Sequence, residues 1–338
     1  MKAPNCRSHG LAHMLDWAVE RGARRERLLA RVGVAPALLA DPEARVPLEA
    51  YYAGIEAAVD ELCDPFLGLH YIASVDPSAL GALGFLALAS PTAGDALARI
   101  FRYHAWLSEG DRFAMELLGG EARFRYEPWG PARPAHAQCA EMYAADCFFG
   151  LARATGAPIA ARALRFAHAP HGAESEYLKI LGCRPEFGAG RCEWSFAADV
   201  LARPMAGADS ALERFLERQV EADARAWSSS GPASEQARRA LAESLVDGGL
   251  SVSALAERLR TSARTLQRRL QAEGTSVAAL LDDLRRSRAQ AYLELGLPAA
   301  EVSYLVGFAE PSVFFRAFKR WTGETPSEYR GRSKRSPS

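Results

Sequence analysis

The sequence predicts an α+β N-terminal domain followed by an all-α domain that carries one helix-turn-helix pattern twice, the copies joined by a long helix. Three observations predict this. Alternating apolar residues occur in the first part of the chain, a break containing Ser, Gly and Pro follows, and the remainder holds helix formers with frequent helix punctuation and no alternation. At 338 residues the chain has room for about two domains of ~150 residues each.

Charge divides the chain in the same place. Lys plus Arg and Asp plus Glu both number 41, so the net charge is zero. Residues 1–230 hold 24 basic and 29 acidic side chains, a balance of −5, and residues 231–338 hold 17 and 12, a balance of +5. A basic half joined to an acidic half points to nucleic acid as the partner of the basic half. The six cysteines, Cys6, Cys63, Cys139, Cys147, Cys183 and Cys192, include no Cys-x-x-Cys pair, which argues against a disulfide framework or a zinc ribbon. The first residues lack the apolar core of a signal peptide, and no stretch of ~20 residues is apolar enough to span a bilayer. The expectation is a soluble cytoplasmic protein with no membrane partner.

Taken in order, residues 9–31 read as one helix with Leu11, Leu15, Ala18 and Val19 on a common face, and residues 48–62 repeat the pattern with Tyr51, Tyr52, Ile55, Ala58 and Val59. Thr92 can cap a helix carrying Ala96, Leu97, Ile100, Phe101 and His104. Residues 112–126 alternate around Gly119-Gly120 and predict a hairpin. Residues 136–154 read helical, and 163–166 and 191–196 read as strands on either side of a short helix over 174–181. Ser228-Ser229-Ser230-Gly231-Pro232 marks the linker. The predicted organisation is therefore a first domain over 1–227, a linker over 228–235, a second domain over 236–330 and a disordered tail over 331–338.

In the first helix-turn-helix copy Ser251 caps a helix with Val252, Leu255, Ala256 and Leu259 inward, Arg260-Thr261 turn, and Ser262 caps a second helix with Leu266 and Leu270 buried, ended by Gly274. In the second copy Pro298 suits a first helical turn before Val302, Leu305 and Val306. Gly307 breaks that helix, Phe308 plugs the core, Pro311 opens the next helix with Phe314 and Phe318 buried, and Gly323 follows its end. Leu266, Arg268 and Leu270 correspond to Phe314, Arg316 and Phe318 at a constant offset. The stretch 277–295 joins the copies with Leu280, Leu281, Leu284 and Tyr292 as its apolar stripe. About 18 helical residues span roughly 27 Å, a separation suited to successive major grooves, which recur every ~34 Å on one face of B-DNA.

The outward faces supply the base-reading candidates. On the first recognition helix these are Arg264, Thr265, Gln267, Arg268 and Gln271, because Arg can bond two acceptors of guanine and Gln can do the same for adenine. On the second they are Glu310, Ser312, Val313, Phe315, Arg316 and Lys319, with Phe315 suited to thymine methyls. Lys319, Arg320 and the cluster Arg285, Arg286 and Arg288 suit phosphates. A single exposed Arg is as readily only solvated, but the repeat of Arg at matching positions favours DNA contact.

These segments resemble a known family. Leu255-Ala256-Glu257-Arg258-Leu259, Ser262-Ala263-Arg264-Thr265-Leu266-Gln267-Arg268-Arg269-Leu270, the run from Gly307-Phe308 through Trp321-Thr322-Gly323, and Thr325-Pro326-Ser327-Glu328-Tyr329-Arg330 are similar to the DNA-binding domain of AraC/XylS-type regulators. The resemblance covers about 80 residues. It implies a bacterial transcription regulator, usually an activator, that binds double-stranded promoter DNA in the nucleoid and touches RNA polymerase. By position it implies that Arg264, Gln267 and Arg268 read one groove and Pro311, Ser312, Phe315 and Arg316 the other. Arg260 stands where the family often has Gly, and Pro311 and Phe315 stand where polar readers are common.

The first ~220 residues more weakly resemble the arabinose-binding-type effector domain of an AraC-type subgroup that includes regulators of amino-acid catabolism and virulence. The matching stretches include Gly81-Ala82-Leu83-Gly84-Phe85, Ser90-Pro91-Thr92 and Leu201-Ala202-Arg203-Pro204-Met205. This implies a small-molecule effector domain that also forms a homodimer. Arg99, Arg102, Tyr103, His104 and Trp106, with Tyr143, combine cationic and aromatic groups that suit a carboxylate, a fatty acid or an amino acid, although a solvated helix face gives the same pattern.

His136, Cys139, Tyr143 and Cys147 share a helical face that a metal or thiol sensor could use, but read more simply as a half-buried face. His168-Ala169-Pro170-His171 places two imidazoles together in a segment that Pro170 makes a loop. No cofactor and no metal are expected. Gly-x-Ser-x-Gly, His-Glu-x-x-His and a phosphate-cradling loop are all absent, which argues against an enzyme. Two rival readings are a constitutive DNA binder without effector and a DNA-repair methyl acceptor, which would need a reactive Cys.

Overall fold

The computed structural model describes residues 4–75, 77–229, 231–245, 251–294 and 297–335. The chain divides into two compact units, Met1–Ala224 and Arg225–Ser338.

The first unit mixes helices with two antiparallel sheets. Strands β1 (Asn5–Arg7) and β2 (Arg45–Pro47) pair with Cys6 opposite Val46. The single helix expected over residues 9–31 is two helices, Ser8–Glu20 and Arg25–Val32. The break comes at Gly22, whose φ of 103° leaves helical space, while the Arg21 and Gly22 N–H groups turn back onto Ala18 and Val19. Apolar periodicity alone does not register such a stop. Leu48–Leu62 forms as its pattern predicts, with Tyr52, Ile55 and Ala58 fully buried. Helix Leu67–Ser74 approaches helix Pro134–Ala145 so closely that a Cβ on Gly68 would stand 2.5 Å from the Gln138 carbonyl oxygen. The Gly68 N–H instead donates to the Gln138 side chain at 2.8 Å.

Thr92 caps helix Ala93–Leu107 by accepting from the Asp95 N–H. Strands β3 (Arg112–Leu118) and β4 (Glu121–Glu127) form the expected hairpin, and Gly119 and Gly120 both take positive φ, 60° and 78°, as a two-residue turn of this hand requires. With β5 (Ala163–Arg165) and β6 (Cys192–Ala197) they make a four-stranded sheet of order β3-β4-β6-β5. Trp194 stands opposite Phe124 on one side and Leu164 on the other, so the sheet buries its centre. The helix expected over 136–154 runs as Pro134–Ala145, a π-helical turn Asp146–Gly150, and Leu151–Thr155.

Helix Ser210–Ser229 continues through Ser228 and Ser229, which the sequence assigns to the linker. Two serines cost a helix only a few tenths of a kcal/mol each. The break falls at Gly231, with φ of 88°, and at Pro232, which caps helix Ala233–Glu243; Ser230 lies outside the described residues.

Among its described residues the regular elements of the second unit are all helices. Ser251 and Ser262 cap helices Val252–Arg258 and Ala263–Ala272 by accepting from the Ala254 and Thr265 N–H groups. Leu255, Ala256, Leu266 and Leu270 form a core with Ala237 and Leu241 of helix Ala233–Glu243 and with Val277 and Leu280. A separate core joins Val302, Val306, Phe314, Phe318 and Tyr329 to Ala289 and Leu293. Helix Val277–Glu294 therefore gives its first turns to one core and its last turns to the other; Leu295, included in the expected stretch, lies outside the described residues. Pro298 is the N-cap of helix Ala299–Leu305 rather than part of its first turn. Pro311 opens helix Pro311–Thr322.

The tail differs from expectation, because helix Pro326–Arg335 runs five residues beyond Arg330. A reciprocal cap starts it: the Thr325 hydroxyl accepts from the Glu328 N–H, and the Glu328 carboxylate accepts from the Thr325 N–H at 2.7 Å. Residues 336–338 lie outside the described residues.

Candidate DNA interface and ligand cavity

The paired cores fix which face of each recognition helix is free. With Leu266 and Leu270 inward, Arg264, Gln267, Arg268 and Gln271 are exposed, and none of their side chains makes a hydrogen bond or ion pair among the described residues. Thr265 differs. It is half-buried, and its hydroxyl accepts from Ser262 at 2.9 Å as part of the cap. With Phe314, Ala317 and Phe318 inward, helix Pro311–Thr322 exposes Ser312, Val313, Phe315, Arg316 and Lys319. Pro311 is half-buried at the first helical position, and Glu310 is exposed and accepts from the Ser312 hydroxyl at 3.4 Å.

The four arginines suggested for phosphates separate into two kinds. Arg285 is half-buried, donates to the Val306 and Gly307 carbonyls at 3.1 and 3.0 Å and lies 4.5 Å over the Phe308 ring. Arg288 donates to the Ala242 carbonyl at 3.1 Å. Both are struts of the linking helix, which corrects their reading as backbone clamps. A charged side chain that satisfies buried carbonyls cannot leave without orphaning them. Arg286 pairs with Asp283 at 2.7 Å and Arg320 with Asp282 at 2.9 Å. Arg320 is largely exposed, and a surface pair of this kind is worth ~0–1 kcal/mol.

The first unit encloses a cavity of about 330 Å³, walled mainly by apolar side chains including Leu97, Ile100, Phe101, Phe113 and Met142. Of the suggested effector residues, His104, Trp106 and Tyr143 line it, while Arg102 and Tyr103 do not. Helix Ala93–Leu107 turns one face, with Leu97, Ile100, Phe101 and His104, to the cavity. Its other face meets helix Ser210–Ser229: Arg99 pairs with Glu213 and Glu217, Arg102 with Glu217 and Glu221, and Tyr103 donates to Glu217. The cationic stripe thus holds two helices together rather than facing a ligand.

Sequence reasoning named His104 and Tyr143 but missed the carboxylate of the cavity. The π turn rotates Asp146 and Cys147 towards it, and such turns recur at functional positions. Asp146 is enclosed by protein yet keeps surface facing the cavity, and it accepts no hydrogen bond among the described residues. Burial raises its pKa, and Arg153 opposes part of that rise. Burial also lowers His104 to about 4 and holds the Tyr51 and Tyr143 hydroxyls protonated. These three side chains make no side-chain hydrogen bond among the described residues. The lining arginines are occupied: Arg7 by Glu43 and the Pro42 carbonyl, Arg153 by the Ile72, Ala73 and Val75 carbonyls. Asp111 closes one wall under three hydroxyl donors, Tyr52, Tyr126 and Ser108. An aspartate inside an otherwise apolar helix segment was the one signal in the sequence for this site.

The arabinose-binding domain of AraC transcription regulator matches residues 22–205, and a helix-turn-helix domain matches residues 255–332. The ornithine utilization regulator of Pseudomonas aeruginosa is 31% identical over 94% of both chains. The chain belongs to the AraC family. The transcriptional regulator VirS of Mycobacterium tuberculosis is 30% identical to this AraC-family chain over 93% of both. A crystal structure of the regulator CdpR from Pseudomonas aeruginosa covers 90% of this chain and 96% of its own, at 22% identity and a TM-score of 0.43. These relatives are transcription regulators, and the AraC-family chain is read as one rather than as an enzyme. Five of its six thiols agree with that reading: burial pushes up the pKa of Cys6, Cys139, Cys147, Cys183 and Cys192, the opposite of what a methyl-accepting nucleophile needs. Within the stripe from His136 to Cys147, Cys139 is fully buried and His136 sits edge-on to Tyr52 at 4.8 Å, whereas Tyr143 and Cys147 line the cavity. Among the described residues no helix is long and apolar enough to cross a membrane.

Proposed function

We propose that this AraC-family regulator reads promoter DNA with both recognition helices and is switched by a small molecule held in the cavity of its first unit. The observation that carries the DNA reading is the equivalent placement of Arg268 and Arg316, both exposed and without a protein partner among the described residues. Arg264, Gln267, Arg268 and Gln271 meet base edges in one major groove, and Ser312, Phe315, Arg316 and Lys319 in the next. Thr265 and Pro311 set the starts of their helices, Glu310 flanks the second, and Arg286 and Arg320 turn to phosphates. The family resemblance supports a cytoplasmic activator that works as a homodimer beside RNA polymerase. The two units observed here support a functional boundary near residues 225–232.

The cavity supports a ligand with an apolar body and a hydrogen-bond donor, a hydroxyl or an amine, facing Asp146. Its volume lies near the lower end of the ~300–1,000 Å³ range of small-molecule sites. A carboxylate ligand fits less well, because both lining arginines already bond protein oxygens. A free amino acid, which the name of the ornithine utilization regulator brings to mind, would leave its own carboxylate unmatched here. Thermal-shift screening of apolar alcohols, amines and acids tests this. A ligand at ~100 times its Kd stabilises the protein by ~2.7 kcal/mol, and Asp146→Asn removes most of that gain. Binding that survives Asp146→Asn and Tyr143→Phe unchanged places the effector elsewhere. If no compound shifts melting and promoter binding ignores metabolites, the constitutive reading holds instead.

A further inference from the structure

One cluster outside both sites has the composition and geometry of a metal centre. Glu141 lies on helix Pro134–Ala145, and His168 and His171 lie on the loop before helix Glu174–Leu181. Glu141 Oε2, His168 Nε2 and His171 Nε2 are all buried without a hydrogen-bond partner. One such orphan costs about 1–3 kcal/mol, so three in one cluster favour an occupant. One ligand atom from each residue can be chosen so that all lie within 4.8 Å of one another.

Direct pairing does not satisfy them. Glu141 Oε1 stands 3.7 Å from His168 Nε2 and 3.8 Å from His171 Nε2, too far for hydrogen bonds. Ligands held about 2.0–2.1 Å from zinc stand roughly 3.3 Å apart in a tetrahedron, so a small inward shift closes the set around an ion.

The surroundings orient the ligands. His168 Nδ1 lies 2.9 Å from the Ala169 carbonyl and donates to it, which leaves the Nε2 lone pair facing the cluster. Tyr177, fully buried, donates to Glu141 Oε1 at 2.7 Å and accepts from the His171 N–H at 3.1 Å, tying carboxylate to loop. Gly172 anchors the loop against Phe66, whose ring a Cβ there would meet at 2.8 Å. The Glu141 side chain is wholly buried, while the imidazoles keep 17% and 22% exposure.

We propose that Glu141, His168 and His171 bind one divalent first-row transition ion, of which zinc fits best. Two imidazoles and one carboxylate suit such an ion, whereas calcium and magnesium prefer all-oxygen shells. This runs against the sequence expectation of no metal, because Glu141 lies 27 residues before His168 and belongs to no local motif with it.

The test uses full-length protein freed of any affinity tag and treated with chelator. Titration with Co(II) is expected to bind one equivalent per chain, with visible bands lacking thiolate charge transfer, and Zn(II) displaces it. Glu141→Gln and His171→Gln are expected to weaken binding at least as much as the ~10–100-fold loss seen when a second-shell partner is removed. Absence of stoichiometric binding, or affinity in both variants equal to that of the parent, overturns the proposal. Should the variants fold poorly, X-ray absorption of the zinc-loaded parent decides: a shell of two imidazoles and oxygen supports the site, and a sulfur shell overturns it.

Discussion

The first helix-turn-helix half enters its recognition helix through a serine cap, packs it with leucines and presents Arg264, Gln267 and Arg268. The second enters through Glu310 and Pro311 without a side-chain cap and packs Phe314 and Phe318 against Phe308, Trp321 and Tyr329. Its free face carries Val313 and Phe315 beside Arg316. One backbone geometry is thus held in two ways, by local hydrogen bonding in the first half and by aromatic contact in the second. The aromatic half has more to lose from a core deletion, and the capped half more to lose from a single hydroxyl. Polar groups discriminate bases through directional bonds, whereas Phe315 offers contact area, so sequence readout should also be unequal.

The largest expected effect breaks the packing side of this contrast. Phe318→Ala removes a fully buried ring in contact with Phe314 and Tyr329 and should cost about 3–5 kcal/mol. Leu270→Ala falls in the wider range of about 2–5 kcal/mol. Urea unfolding of both variants checks the order, and a smaller loss for Phe318→Ala would show that leucine packing carries as much as the aromatic cluster.

Next comes readout. Arg268→Ala should cost about 1–3 kcal/mol of specific promoter binding and relax preference at one position. Arg316→Ala should fall at the lower end of that range, because its neighbours are apolar. Competition binding against single-base operator variants measures both, and equal losses would remove the asymmetry.

A smaller difference concerns the caps. Ser262→Ala should lower stability by ~1 kcal/mol, while Glu310→Ala, with no side-chain cap to lose, should leave the melting temperature almost unchanged. Smallest of all is Arg260→Gly. Arg260 holds φ of 51°, a left-handed conformation that costs an L-residue about 1–2 kcal/mol, and glycine relieves it while adding ~0.5–1 kcal/mol of chain entropy cost. A slight rise in melting temperature is expected, and a fall would mean that the guanidinium holds the turn by contacts of its own.

How much was legible in the sequence follows from the range of the interactions involved. Caps, hairpin and recognition helices were visible because Ser251, Ser262, Thr92 and Gly119-Gly120 act within four residues of themselves, and helical periodicity then assigns Leu266 and Phe314 inward and Arg268 and Arg316 outward. The reading failed where a side chain had two possible partners far away in the chain. Arg102 looked like a ligand contact and pairs with Glu217, 115 residues on, and Arg285 looked like a phosphate contact and holds two carbonyls.

By itself, then, the sequence determined the double helix-turn-helix, its exposed arginines and the α+β character of the first unit, all of them products of local propensity and periodicity. Tertiary structure alone decided that the linking helix divides between two cores, that a π turn brings Asp146 to an apolar cavity, and that Glu141 meets two histidines. Each of these depends on which burial elements share, and no window along the chain contains that information.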